Sequence, residues 1–364
     1  MKVLVLHPPM YPVNYKFYNL LGKKVSLTVI QFGEHPVHHT SWNIHNYEKD
    51  DLNYKLVIIG KGAVSMRTQM SLSYLKYFFK EKPDIVLSIA FWFPSFLMSF
   101  FRFFFKFKFI ILTNVIDHTE INISKSKLVI RKFIAKRVDV FIAASSITKD
   151  YLLNKYNKAK VIISIQTIDV NLWINEYEKL PEKQVLREEF NLPTDKTIML
   201  GVGNFTEKKN WKLVLSNIKL SNDIHFLLIG SGQQRNEYID FISNLRIESK
   251  VTILSRKDEF EIKKYYKASD FLVFPSKFDQ FGFVVPEALS FRLPVICSKN
   301  TGASILIKNG YNGFVIDPSK EINGYINSIV KNLAEMQANS INSIKNLKLE
   351  NRVSEFVNIF NSLK

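Results

Sequence analysis

Short apolar runs recur along the whole chain and alternate with stretches in which apolar residues have helical spacing. Uninterrupted short apolar runs are typical of parallel strands buried on both faces, and the stretches between them are typical of covering helices. The pattern predicts thirteen strands, at residues 3–6, 26–31, 56–59, 84–89, 109–112, 138–143, 161–165, 197–201, 224–229, 251–254, 271–274, 294–297 and 314–316.

A polar, charged stretch without a strong apolar period, residues 175–196, interrupts this alternation and predicts a linker. The sequence therefore predicts an α/β protein with two doubly wound, Rossmann-type domains facing a central cleft. In such sheets ligands bind at the carboxyl ends of the strands. The expected division is an N-terminal domain (1–174), the linker, a second domain (197–340), and C-terminal helices (341–364) that return to the N-terminal domain.

Length and cysteine content fit this division. A chain of 364 residues is long enough for two domains, and its single cysteine excludes an internal disulfide framework. The opening MKVLVLHPPMYP holds an apolar run too short for a secretion signal. We therefore expect a cytoplasmic location.

The formal net charge of +17 suggests an anionic partner, although a lysine-rich composition alone also explains it. Nucleic acid, an anionic membrane and anionic small ligands are the three candidates. The chain holds no recognisable nucleic-acid module and no regular basic and aromatic platform, so we expect no nucleic-acid partner.

An aromatic stretch at 89–112 raises the question of membrane contact, because it is almost wholly apolar. Pro94, Arg102 and Lys106 make it a poor bilayer span, and it predicts a helix at 94–105 followed by a strand. The next helix, 124–137, alternates basic with apolar residues and suits either anionic lipid or an ordinary solvated surface. We predict that the protein lies peripherally on the inner face of the cell membrane.

The second half carries the candidate chemistry. Asp279 and Glu287 stand eight residues apart across a glycine turn that opens a helix, and paired carboxylates suit sugar hydroxyls. A surface aspartate beside a turn, with a glutamate in the first helical turn, is the structural alternative. Upstream, a strand runs into GVGNFTEKKN (201–210), a glycine-containing turn with lysines that suits an anion.

Several motifs in a fixed order resemble the retaining glycosyltransferases of family 4, a GT-B-fold family within glycosyltransferase group 1. The resemblance is to members that build bacterial surface glycans. The matching motifs are QTIDVNLW (166–173), LIGSG (228–232), ASDFLVFPS (268–276), DQFGFVVPEA (279–288), LPVI (293–296) and NGFVIDP (312–318).

The resemblance implies transfer of a sugar from a nucleotide-diphosphate donor to a glycan or lipid-linked acceptor, with no metal and no cofactor. It implies that Lys209 stabilises the leaving diphosphate, Glu287 holds the ribose and Asp279 holds the donor sugar. His118, or its neighbour Asp117, would lie near the reacting sugar from the first domain. The other implied donor-binding residues are Gly203, Asn204, Lys208, Gly230, Arg256, Phe281, Gly282, Phe283 and Val284.

Two departures from the family pattern affect the site. Asp279 stands where the family usually has glutamate, and Asn204 replaces an arginine that binds phosphate, so Lys208 or Arg256 is the expected substitute. An inactive or unusually specific member, a nucleotide-sugar epimerase or phosphorylase of the same fold, and a basic nucleic-acid-binding protein are the alternatives.

Overall fold

The computed structural model describes residues 1–35, 52–156, 159–219 and 223–364. The chain divides into two compact units. One unit combines Met1–Gln166 with Leu349–Lys364, and the other is the continuous segment Thr167–Lys348.

All thirteen predicted strands are present, with ends that differ from the prediction by no more than two residues. They are β1 (Lys2–His7), β2 (Ser26–Phe32), β3 (Lys55–Ile59), β4 (Ile85–Ile89), β5 (Lys108–Thr113), β6 (Val140–Ala143), β7 (Val161–Ile163), β8 (Thr197–Val202), β9 (Ile224–Ile229), β10 (Val251–Leu254), β11 (Phe271–Phe274), β12 (Val295–Ser298) and β13 (Gly313–Ile316).

Helices connect most of these strands. They are α1 (Pro12–Gly22), α2 (Met66–Gln69), α3 (Leu75–Glu81), α4 (Phe93–Phe101), α5 (Lys125–Ala135), α6 (Ser146–Lys155), α7 (Val170–Lys179), α8 (Lys183–Glu189), α9 (Trp211–Ile218), α10 (Arg235–Leu245), α11 (Glu259–Ala268), α12 (Val284–Ser290), α13 (Asn323–Lys331), α14 (Leu333–Ile344) and α15 (Leu349–Asn361). Among the described residues, none of these helices is both long and apolar enough to cross a bilayer.

The first unit is built on a parallel sheet in the order β3-β2-β1-β4-β5-β6-β7. The direction of strand addition reverses between β1 and β4, which pair in parallel. Helix α15 covers one face together with α1, and the rings of Phe17 and Phe356 meet edge to face with centroids 5.0 Å apart. This unit is therefore doubly wound, and its last helix comes from the far end of the chain.

The second unit has a parallel sheet in the order β10-β9-β8-β11-β12-β13, so the reversal falls between β8 and β11. Buried apolar side chains fill its core, including Trp211, Phe226 and Phe271. The predicted α/β architecture of two doubly wound units is confirmed.

The stretch 175–196, predicted as a linker, instead holds the end of α7 and all of α8, which lie within the second unit. A buried ion pair explains why α8 is held there. Arg187 contacts the carboxylate of Asp270 at 2.5 Å, and Lys183 contacts the same carboxylate at 2.8 Å. This attachment depends on a partner more than 80 residues away, which the local pattern does not show.

The predicted helix at 94–105 ends early, at Phe101. Arg102 turns back towards the sheet, where its guanidinium donates to the Phe107 carbonyl and contacts the Asp139 carboxylate at 2.5 Å. The chain therefore leaves the helix four residues sooner than its apolar composition suggested.

Candidate active site

Two predicted site residues meet at the reversal point of the second sheet. Strands β8 and β11 are parallel neighbours, so the loops that follow them leave the sheet side by side. Lys209 lies in the loop after β8 and Asp279 in the loop after β11, and their Nζ and Oδ2 atoms are 2.7 Å apart. Strand order thus pairs two residues that are 70 positions apart in sequence.

The environment of this pair is partly closed. The side chains of Lys209 and Asp279 are 12% and 20% exposed, and the Lys209 ammonium lies 4.7 Å from the centre of the Phe274 ring. An ion pair shielded in this way interacts more strongly than one in open water. The arrangement holds a cation and a carboxylate in fixed positions at the edge where ligands of parallel sheets bind.

Glycines let the loops after β8 and β9 touch through their backbones. A side chain at Gly230 would place its Cβ 1.9 Å from the Gly203 carbonyl oxygen, and one at Gly232 would meet the Phe205 carbonyl oxygen at 2.5 Å. Gly203 and Gly230, both predicted to bind the donor, therefore also set the shape of this edge.

The loop after β11 is anchored on both sides. The Asp279 amide donates to the Asn300 carbonyl at 3.2 Å, and the Phe281 amide donates to the Asp279 carboxylate at 3.3 Å. Gly282 follows with a φ of +101°, and a Cβ there would lie 2.4 Å from the Phe274 ring. Only glycine fits this turn, which leads directly into α12 through Phe283 and Val284.

Glu287 lies on α12 and is only partly exposed. The Tyr266 hydroxyl, which is fully buried, donates to Glu287 Oε2 at 2.7 Å. Burial raises the pKa of Glu287 to about 7, while the hydrogen bond from Tyr266 acts in the opposite direction. The carboxyl group therefore changes its protonation state near neutral pH.

Sequence reasoning did not identify Tyr266. It is the second of two adjacent tyrosines near the end of α11, and nothing in the local pattern tells which of them faces Glu287. The structure shows that Tyr266 is the one that faces Glu287. Its ring is held by packing edge to face against Trp173, with centroids 5.7 Å apart. Tyr266 is thus a positioning residue for Glu287.

Three predicted donor-binding residues of the second unit are exposed side chains. Asn204 and Lys208 flank the loop after β8, and Arg256 follows β10, two strands away from β8. Arg256 thus lies at the same carboxyl edge of the sheet as Lys209, but in a different loop. Of the two expected substitutes for the missing arginine, Lys208 is the one that shares a loop with Lys209.

His118 belongs to the first unit and is exposed in a single 3-10 turn, Asp117–Thr119, after β5. A different histidine, His7, ends β1 at the reversal point of that sheet and is buried. Burial lowers the pKa of His7 to about 4, and its Nδ1 donates to the Pro8 carbonyl at 2.5 Å. His7 is thus neutral at pH 7, and it is not among the site residues predicted from the sequence.

A cavity of about 500 Å³ elsewhere in the second unit shares no residue with the Lys209–Asp279 pair. Its cationic lining residues already have partners: Lys183 contacts Asp270, Arg292 contacts Glu178, and Lys267 donates to the Tyr177 carbonyl. We therefore assign the candidate site to the strand ends and not to this cavity.

Residues 182–347 match the model of the family described as glycosyl transferases group 1. The matched segment lies within the second unit, where the ordered motifs predicted the resemblance. An uncharacterized glycosyltransferase of Methanocaldococcus jannaschii is 25% identical over 181 residues, which is 49% of this chain and 46% of that protein.

A second relative is the UDP-Gal:alpha-D-GlcNAc-diphosphoundecaprenol alpha-1,3-galactosyltransferase of Escherichia coli. It is 24% identical over 249 residues, 64% of this chain and 61% of that protein. The chain thus spans about half to three fifths of the length of these curated relatives.

Among solved structures, the Anabaena protein HepE in complex with UDP-glucose has a TM-score of 0.73 and 16% identity. The match covers 100% of both chains. This likeness confirms the GT-B-like fold predicted from the sequence.

Proposed function

We propose that this protein is a retaining glycosyltransferase that moves a sugar from a nucleotide-diphosphate donor to a lipid-linked glycan or polysaccharide acceptor in surface-glycan biosynthesis. The observation that carries the proposal is the Lys209–Asp279 pair at the reversal point of a group 1 glycosyl transferase domain. Glu287 follows eight residues later on α12, at the spacing noted in the sequence for the two carboxylates.

The proposed chemistry uses the pair directly. The bond from the anomeric carbon to the diphosphate oxygen breaks, and its electron pair leaves with the nucleoside diphosphate. Lys209 stabilises that negative charge, since a fixed cation in a partly closed site needs little reorganisation. The acceptor hydroxyl oxygen bonds to the anomeric carbon, and its proton passes to the departing diphosphate.

Asp279 has two tasks in this proposal. It accepts hydrogen bonds from the donor sugar, and it holds the Lys209 ammonium 2.7 Å from its Oδ2 atom. Glu287 accepts hydrogen bonds from the ribose, and His118 is the residue proposed near the reacting sugar. The further donor contacts are proposed at Gly203, Asn204, Lys208, Gly230, Arg256, Phe281, Gly282, Phe283 and Val284.

The relatives support the donor and acceptor classes. The Anabaena structure is a complex with UDP-glucose, and the name of the Escherichia coli relative specifies an acceptor joined to diphosphoundecaprenol. An acceptor of that kind is embedded in the membrane. We therefore propose a peripheral position on the inner face of the cell membrane.

Glu287→Gln tests the nucleotide site. Glutamine keeps the shape but cannot form charge-assisted hydrogen bonds to the ribose, so nucleoside-diphosphate binding should weaken by about 1.5–3 kcal/mol. Calorimetric titration with UDP and the other nucleoside diphosphates, together with hydrolysis assays on a panel of nucleotide sugars, measures this effect and identifies the donor.

The matched control is Glu261→Gln, on the exposed surface of α11. Because burial raises the pKa of Glu287, an uncharged residue there should leave the fold intact above pH 7. The proposed function would be contradicted by two results together. A folded Glu287→Gln variant would bind nucleoside diphosphates with the affinity of the parent, and the parent would hydrolyse none of the nucleotide sugars.

Nucleotide binding should also depend on pH. If the ribose is held by ionised Glu287, whose pKa is about 7, affinity should be about tenfold weaker at pH 6 than at pH 8. Tyr266→Phe removes a hydrogen bond that stabilises the ionised form, so the midpoint should move to higher pH. Titrations between pH 5.5 and 9 check the shift, and an unchanged midpoint would show that Tyr266 only packs.

A further inference from the structure

Five phenylalanines form an exposed surface on the first unit, at the ends of α3 and α4 and in the turn after α4. We call this surface the aromatic rim. Its most exposed members are Phe103, at 61%, and Phe104, at 67%. The other three are Phe79, Phe100 and Phe105.

The aromatic rim rests on an ordered base. Arg102 fixes the turn by its contact with Asp139, and Phe78 and Phe107 are buried beneath it with ring centroids 5.4 Å apart. Phe105 packs edge to face on Phe78 at 5.6 Å. The exposed rings are therefore held outwards by the fold, although exposing them to water is unfavourable.

The rim continues onto α5. The rings of Phe103 and Phe133 are 6.5 Å apart, and the Arg137 guanidinium lies 4.4 Å from the centre of Phe103. Helix α5 exposes Val129 and Ile130 beside its lysines. The aromatic rim and the outer face of α5 form one surface with apolar residues at the centre and basic residues around them.

Only some of the basic residues of α5 belong to this surface. Arg131 is turned towards Glu120, with which it forms an ion pair, and Arg137 packs on Phe133 at 3.7 Å. These two arginines hold the fold and are not available to a flat surface. The exposed cations are Lys106, Lys125, Lys127, Lys132 and Lys136.

We propose that the aromatic rim and the exposed face of α5 dock on an anionic lipid bilayer, with Phe103 and Phe104 inserted among the acyl chains and the lysines at the headgroups. Aromatic side chains beside a cluster of lysines match the apolar interior and the anionic surface of such a membrane. A second copy of the chain fits less well, because it would place like charges together. Residues 99–137 carry nine basic and only two acidic side chains.

The position of the rim leaves the ligand edge of its sheet open. The turn after α4 precedes the amino end of β5, whereas ligands of parallel sheets bind at the carboxyl ends of the strands. The most apolar part of the proposed docking surface therefore lies away from that edge. The inference deepens the proposed function, but lipid binding requires neither donor nor acceptor and can be measured without them.

Vesicle flotation tests the proposal with the full chain. Wild-type protein should bind phosphatidylglycerol-containing vesicles and bind pure phosphatidylcholine weakly. Phe103→Ser with Phe104→Ser should weaken binding by at least about tenfold, because two apolar rings no longer enter the bilayer. Changing Lys125, Lys127, Lys132 and Lys136 to Gln should weaken it by on the order of 1000-fold, and added salt should weaken binding of the parent in the same direction.

Matched controls lie on the second unit. Phe260→Ser removes a phenylalanine that is 77% exposed, and a quadruple variant changes the exposed Lys212, Lys219, Lys299 and Lys331 to Gln. Both should bind vesicles like the parent. Donor hydrolysis should be unchanged in the Phe103 and Phe104 variant, which separates failure of docking from failure of the proposed function. The proposal would be overturned if the control and test variants lost vesicle binding equally, or if the protein formed a dimer that depends on Phe103 and Phe104.

Discussion

Replacing Lys209 by alanine should lower the rate of sugar transfer by about 10²–10³-fold, the loss typical when one preorganised charge-stabilising group is removed. The physical reason is that Lys209 lies at the reversal point of the sheet, shielded by Phe274 and oriented by Asp279. Binding of nucleoside diphosphate should weaken far more than binding of the bare nucleoside. Single-turnover kinetics and calorimetry measure the two effects.

Asp279→Asn provides the second arm of a double-mutant cycle. Because the two side chains are in contact, the asparagine variant both weakens the sugar contact and releases the Lys209 ammonium. The losses of transfer rate in Lys209→Ala and in Asp279→Asn should therefore not add in the double variant. Lys212→Ala, an exposed lysine on α9, is the matched control and should retain parental rates. Additive losses would show that the pair does not act as one unit.

Arg187→Met should destabilise the second unit by about 3–5 kcal/mol, the usual cost of removing one partner from a buried ion pair. Arg187 is 5% exposed and Asp270 is 7% exposed. Arg187 also donates to the Ala268 carbonyl at 2.9 Å, so one side chain ties α8 to the end of α11 and to β11. Urea unfolding followed by hydrogen exchange in peptides of β8 and β11 reports on this unit alone.

Helices α8 and α11 also supply a control for the loss of stability expected in Arg187→Met. Lys264 on α11 contacts Glu189 on α8 at 2.9 Å, but both side chains are well exposed. Lys264→Met should therefore cost no more than about 1 kcal/mol. If the two substitutions destabilise equally, burial is not what makes the Arg187 contact important.

The sequence predicted the strands well because each buried parallel strand is a short apolar run bounded by polar residues, a local property. The segment 175–196 was predicted as a linker because its attachment to the second unit is not a local property of the sequence. Arg187 and Lys183 look like ordinary surface charges until Asp270, a distant residue, brings them to the sheet. Helix α4 likewise ends at Phe101 because of Asp139, which the aromatic run itself does not reveal.

The candidate site shows the same limit. Motif order identified Lys209, Asp279 and Glu287 individually, and strand order then placed Lys209 against Asp279. The Tyr266–Glu287 hydrogen bond and the burial of His7 depend on side-chain packing, which no spacing encodes. The sequence therefore named the chemical groups, whereas their pairing and their pKa values follow from the structure.

The return of α15 to the first unit has a consequence for biosynthesis. The ribosome completes the whole second unit before it makes the helix that packs on α1. Until then, Phe17 and Leu21 lack the side chains of Val353 and Phe356, which share their core. The nascent first unit must therefore keep an apolar groove open through most of translation.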